Sequence, residues 1–205
     1  MILPQACLGC RTLQGSLFCS TCIQDLSLSV EVTRGLPYLN EVKSFSVHYA
    51  RLQPVLSAIK FDLWSDLAQQ IGTVLCDHLS SPPFEHVDIW VPVPISKARY
   101  RQRGFNQVDL LFDPIVNRFR LPYDSEWVCR QQNTPPLFSY SPIERRDILT
   151  GAFSLSSTPS LLGASVVICD DIVTSGSTLI ELARLFRHHG ALSVSALCVI
   201  DVQPD

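Results

Sequence analysis

The sequence predicts an open α/β sheet, mostly parallel and covered on both faces, preceded by a small four-cysteine segment. Three observations carry this fold class. Apolar runs of strand length alternate with segments whose apolar residues recur at helical spacing, polar loops follow two of the strands, and four of the eight cysteines crowd into the first 22 residues as two CxxC pairs. Strand, helix and strand in that order imply parallel pairing through right-handed crossovers. Parallel sheets are buried on both faces.

A chain of 205 residues holds one full-sized domain and an appendage, since domains commonly run to about 100–150 residues. Residues 1–35 are assigned to the four-cysteine segment and a linker, and residues 36–205 to the main domain. With 46% hydrophobic and 17% charged residues, the composition excludes a disordered or solvating chain. No apolar run approaches the roughly 20 residues that span a bilayer, and MILPQACLGC lacks the basic residues that open a signal peptide. No membrane insertion and a cytoplasmic location are therefore expected. A formal net charge of -3 leaves no global basic field to attract nucleic acid. The densest local cluster is Lys97, Arg99, Arg101 and Arg103, either a solvated surface turn or a contact for polyphosphate or nucleic acid.

From the N-terminus, Cys7, Cys10, Cys19 and Cys22 form two turns that can close a tetrahedron around Zn²⁺, with Gly9 and Gly15 easing the reversals. Two disulfides do not suit a reducing cytosol, and a redox pair needs one CxxC rather than two. Iron uses the same four thiolates and stays open. Four thiolates leave no free coordination position, so the metal's role is structural.

The stretch through Gly35 and Pro37 reads as a linker. Residues 42–49 alternate as a strand, and Leu63, Leu67, Ile71, Val74, Leu75 and Leu79 recur at helical spacing. Residues 87–93 are a buried strand, followed by a basic loop and a helix from about Phe105 that Pro114 is expected to kink or end early. Short strands are expected at 126–129 and 151–155, a largely apolar one at 165–169, a helix at 177–188 and a last strand at 193–200. Ligands of such sheets bind beyond the carboxyl ends of the strands, so the polar loops after Val93 and Cys169 should share one cleft.

Chemistry concentrates at 166–178, VVICDDIVTSGST. Asp170 and Asp171 leave a buried strand together. Thr174, Ser175, Gly176, Ser177 and Thr178 then lead into a helix whose positive dipole end, with converging backbone N–H groups, suits a phosphate. Acids beside a phosphate cradle would repel a bare phosphate, but they fit a ribose phosphate with hydroxyls to bind. The bland alternative is that Ser177 caps the helix and the aspartates are solvated.

VVICDDIVTSGST resembles the phosphoribosyl pyrophosphate (PRPP) signature of type I phosphoribosyltransferases. Together with VPVP at 91–94, RQRGFNQ at 101–107, GAF at 151–153 and the CxxC pairs, it resembles the ComF/GntX family, competence-protein-F-like proteins also described as predicted amidophosphoribosyltransferases. That resemblance implies the type I phosphoribosyltransferase fold, PRPP with Mg²⁺ as ligand, and Asp170 and Asp171 as the catalytic acids. It implies backbone donors for diphosphate at Ile95, Ser96 and Lys97, with Arg99 and Arg103 on the same side. Lys60, followed by an aromatic residue, matches the family as well. Family members are linked with DNA uptake or the use of DNA as a nutrient, so single-stranded DNA and DNA-uptake proteins are candidate partners. Two positions depart from the family: Leu137 stands where Thr-x-x-Gln has its amide, and Ile148 stands for an asparagine. Either the acceptor differs or transfer has weakened. The rival to a transferase is a nucleic-acid-handling or interaction protein that keeps the PRPP-like pocket.

Overall fold

The structure, a computed structural model, describes residues 6–13, 18–24, 28–46, 49–131, 140–156 and 161–202. Strands β1 (Glu31–Arg34), β2 (Val42–Ser46), β3 (Ile89–Pro92), β6 (Ser165–Val173) and β7 (Ser193–Asp201) form one sheet in the order β1-β2-β7-β6-β3. The last four are parallel to their neighbours and β1 is an antiparallel edge. The short strands β4 (Val128–Arg130) and β5 (Phe153–Leu155) pair separately, outside the parallel sheet.

Alternation along β6 divides the core, because successive side chains of a strand point to opposite faces. Val167 and Cys169 pack with helices α2 (Tyr49–Phe61), α3 (Ser65–Asp77) and α5 (Gln107–Phe119). Val166 and Ile168 pack with α6 (Pro142–Leu149), α7 (Ser177–His188) and the β4–β5 pair. Cys7, Phe18 and Cys19 are buried in the first of these clusters, so the four-cysteine segment, with its short helix α1 (Ser20–Gln24), is seated on the domain's core.

Several elements differ from expectation. Part of the presumed linker is β1, which completes the sheet edge through a bulge at Val32 and Arg34. Helix α2 was not expected; Leu52, Val55, Leu56 and Ile59 bury one face at helical spacing, and Pro54 withholds a single N–H without disturbing that spacing. Pro114 does not end α5, which continues to Phe119. The carbonyl of Leu110, which Pro114 leaves without its usual donor, lies against α3 at Gly72, where an added Cβ would come within 3.0 Å of it.

The cationic run at 97–103 is not a loop. It is a helix, α4 (Lys97–Arg103), with Ser96 as N-cap and left-handed Gly104 as C-cap, both signals legible in the sequence. Asp170 and Asp171 lie within β6, whose pairing with β7 continues to Val173, and not in the loop beyond it.

Candidate functional site

Strand β6 runs beside β3 with Pro92 opposite Cys169, and Val93 N–H donates to the Cys169 carbonyl at 2.8 Å. The segments that follow these strands therefore leave the same edge of the sheet side by side.

Asp170 and Asp171 are both buried and face opposite sides of β6. Asp171 accepts from Lys60 Nζ at 2.6 Å and from Gln107 Nε2 at 3.0 Å, and Gln107 in turn accepts from Arg103. Lys60, Asp171, Gln107 and Arg103 thus form one chain of polar contacts from the end of α2 to the end of α4. Burial pushes the Asp171 carboxyl up, but the Lys60 charge, with hydrogen bonds from Lys60, Gln107 and the Ile172 N–H, outweighs it and holds the group below the usual range. Asp170 is raised well above that range by burial and by the charge of Asp171, against the opposing charge of Lys60. Two adjacent carboxyls are thereby shifted in opposite directions by their surroundings. Asp170 faces the β4 side, where its charge supports the buried Arg130 guanidinium. That guanidinium is nevertheless lowered to about 10, chiefly by burial and also by Arg99.

The β6–α7 loop is shaped from outside itself. Gly176 has φ +74, a backbone conformation that favours glycine, and a Cβ there would meet Leu36 Cδ1 at 2.5 Å and push that side chain aside. Gly176 is also the N-cap of α7, which displaces Ser177 from the capping role considered for it. Ser175 and Ser177 hydroxyls lie 2.9 Å apart. Thr174 accepts from Arg145 Nη1 at its hydroxyl, 3.0 Å, and from Arg34 Nη1 at its carbonyl, 2.6 Å. Thr178 follows on the first turn of α7.

On the β3 side, Ser96 is buried, Ile95 and Arg99 are half-buried and Lys97 is exposed. Arg103 is half-buried, and burial lowers its guanidinium with Arg99 adding to the effect and Asp171 opposing it. Asn106 links the segment to the sheet: its amide donates to Val93 O at 3.1 Å while its oxygen caps α5.

The sulfurs of Cys7, Cys10, Cys19 and Cys22 all lie within 4.8 Å of one another, the one such metal-capable group of His, Cys, Asp or Glu among the described residues. Cys7 and Cys22 are 3.7 Å apart, and Cys10 and Cys19 3.8 Å. Sulfurs about 2.3 Å from a tetrahedral metal are separated by roughly 3.8 Å, so this donor set fits Zn²⁺ and is too open for disulfides. Cys7 is lowered to about 6: burial opposes ionisation, but N–H donors of Cys10, Cys19 and Gly9 prevail. No comparable cage forms around Asp170 and Asp171, whose carboxylates diverge.

The phosphoribosyl transferase domain family matches residues 105–204, a span that includes the acid pair and the loop. The DNA utilization protein YhgH of Escherichia coli (strain K12) is 33% identical over 152 residues, covering 72% of this chain and 66% of that protein. The protein of the same name from Salmonella typhimurium is 30% identical over 188 residues, covering 90% of this chain and 78% of that protein. The chain belongs to the ComF family of type I phosphoribosyltransferase-like proteins. Competence protein F of Haemophilus influenzae is 31% identical over 149 residues, 70% of this chain and 65% of that protein. The chain spans just under two thirds of the length of the E. coli and Haemophilus ComF relatives. Among solved structures, a hypoxanthine phosphoribosyltransferase from Staphylococcus aureus is 16% identical with a TM-score of 0.39, over 67% of this chain and 64% of that one.

Of the two positions at which the chain departs from the ComF pattern, Leu137 lies outside the described residues and Ile148 is half-buried on α6. Arg34, Arg130 and Arg145 carry no motif signal in the sequence, each being distant from the segments it approaches. Gln107 stood within the quoted RQRGFNQ, and its place just after an N-cap signal was the available clue.

Proposed function

We propose that the chain binds PRPP with Mg²⁺ and transfers its phosphoribosyl group to an acceptor nucleophile, in a setting of DNA uptake or utilisation like that for which its relatives are named. The observation that carries the reading is the register of β3 on β6, which brings the basic segment and the Thr174–Thr178 loop to one edge with the acid pair between them. In this reading the loop takes the 5-phosphate and Asp170 and Asp171 take the ribose hydroxyls. Ile95, Ser96, Lys97, Arg99 and Arg103 meet the diphosphate. Mg²⁺, held by oxygens of the ligand and by water, would supply neutralising charge at the diphosphate. The nucleophile bonds to ribose C1 and gives up its proton, while the C1–O bond breaks and its electron pair departs with the diphosphate. The sugar becomes cationic on the way, so the protein's work is positioning and stabilising the leaving group. The four cysteines hold one structural Zn²⁺. The division into a metal segment and linker over 1–35 and a transferase domain over 36–205 belongs to this reading, with β1 contributed to the domain's sheet. A cytoplasmic location suits eight cysteines of which none is joined in a disulfide.

Titration calorimetry with PRPP and Mg²⁺ tests the site: binding is expected in the natural protein and is lost in Asp170→Asn/Asp171→Asn. Equal affinity in the two would overturn the assignment. Diphosphate release in the presence of amines and nucleobases then identifies the acceptor.

A second reading, a nucleic-acid-handling protein with a retained pocket, is favoured by α4, which presents Lys97, Arg101 and Tyr100 to solvent. It requires oligonucleotide affinity that falls steeply with salt.

A further inference from the structure

The β6–α7 loop owes its shape to a residue on the far edge strand. Arg34, on β1, donates Nε to Asp201 Oδ2 at 2.8 Å and Nη2 to the other Asp201 oxygen and, at 2.7 Å, to the Val202 carbonyl. Asp201 ends β7 and is fully buried, so the guanidinium is fixed before it reaches the loop. Its remaining nitrogen, Nη1, meets the Thr174 carbonyl at 2.6 Å. A lysine could not serve all of these acceptors at once, whereas the planar five-donor fork of arginine does.

The bond to Thr174 sets more than one atom. In a trans peptide the carbonyl and the following N–H point in opposite directions from one plane. Turning the Thr174 carbonyl towards Arg34 therefore aims the Ser175 N–H away from it. A phosphate loop functions by aiming successive N–H groups at one anion, so a flipped 174–175 peptide would present a carbonyl oxygen to the ligand instead. Leu36, two residues beyond Arg34, acts on the next step of the loop. It packs on Gly176, where a Cβ would fall 2.5 Å from Leu36 Cδ1 and force that side chain aside, so Leu36 is seated on the left-handed turn that starts α7.

We propose that Arg34 and Leu36 are positioning residues for ribose 5-phosphate: Arg34 fixes the 174–175 peptide in its N–H-inward orientation and Leu36 holds the turn at Gly176. The inference rests on the reading that Thr174–Thr178 receives the 5-phosphate. It adds that the segment joining the four-cysteine site to the sheet governs the affinity of that loop.

The test uses the full chain with its metal. Arg34→Gln, Arg34→Lys and Leu36→Ala are compared with the natural protein for calorimetric binding of ribose 5-phosphate and, separately, of inorganic diphosphate with Mg²⁺. Hydrogen exchange is followed in peptides covering 174–178. A positioning role predicts that Arg34→Gln weakens ribose 5-phosphate at least about tenfold, leaves diphosphate within about twofold, and speeds exchange in the loop but not in β6. Arg34→Lys should recover part of the loss, and Leu36→Ala should repeat the selective pattern should Arg34→Gln not fold. Equal weakening of both ligands, or faster exchange throughout the sheet, would mark Arg34 as a general stabiliser and overturn the proposal. Unchanged ribose 5-phosphate affinity in Arg34→Gln and Leu36→Ala would overturn it also. If the natural protein binds diphosphate and not ribose 5-phosphate, the phosphate-loop reading fails first and the positioning role falls with it.

Discussion

Lys60 and Asp171 meet at 2.6 Å at the carboxyl end of the sheet, with Lys60 partly exposed and Asp171 buried. The lysine is the last basic residue of α2 and the aspartate belongs to β6, so one ion pair ties a helix end to the strand that carries the acids. Removing one partner of a buried pair strands the other charge, at a cost of about 3–5 kcal/mol in a fully buried setting.

The lysine's exposure reduces that figure. Lys60→Met is expected to destabilise the protein by about 1–3 kcal/mol in urea unfolding. Combining it with Asp171→Asn removes the stranded charge, so the double variant should be more stable than the sum of the single losses by about 1 kcal/mol. Simple additivity of the two losses would show that the contact carries no coupling.

Asp170 and Asp171 contribute to stability with opposite pH dependence. Asp171 has a lowered carboxyl, so its contribution is present above the ordinary carboxylate value of about 3.9 and is lost as pH falls through its own lower value. Asp170 has a raised carboxyl; its contribution is present below about 3.9 and is lost as pH rises through its raised value. At pH 8 Asp170 is thus a net cost to the ligand-free fold. Asp170→Asn stays neutral and keeps an oxygen to accept the Asp171 N–H, a bond of 2.9 Å in the natural chain. Its melting temperature is expected to exceed that of the natural protein at pH 8, by about 2–4 °C per kcal/mol regained, with the difference closing towards pH 4. Thermal melts across that range check the sign, and a variant less stable at pH 8 than at pH 4 relative to the natural protein contradicts it.

The central sheet and the acid pair were legible because their signals are local. Apolar runs mark β3, β6 and β7, and Asp170 and Asp171 interrupt one of them. Ser96 and Gly104 bracket α4 in the sequence too, and these caps mark the helix where the run of four cations alone suggests a loop. What stayed hidden is contact between distant segments. Nothing in the residues around Arg34 points to Asp201 or Thr174, 167 and 140 positions away, and its strand reads as a linker because an edge strand of two exposed and two half-buried residues has little apolar pattern to read. Gly176 is part of the legible loop, whereas the residue packed on it, Leu36, belongs to the same unpatterned segment.

The four-cysteine site yields the last expectation. Cys7 and Cys19 are buried with Phe18 against the α2–α3 core, so this segment is one face of the domain's packing as well as a metal cage. A segment of this size cannot hold such a position without a cross-link, and zinc binding then contributes directly to folding. Elemental analysis should find about one zinc per chain. Cys19→Ser is expected to lose the metal and lower the melting temperature, and a chelator should lower that of the natural protein to a similar value while leaving the Cys19→Ser variant unaffected. Cys129→Ser, on β4 and away from the cage, should retain full metal content. A Cys19→Ser protein that kept its zinc, or a chelator that removed zinc without lowering the melting temperature, would separate the cysteines from the fold.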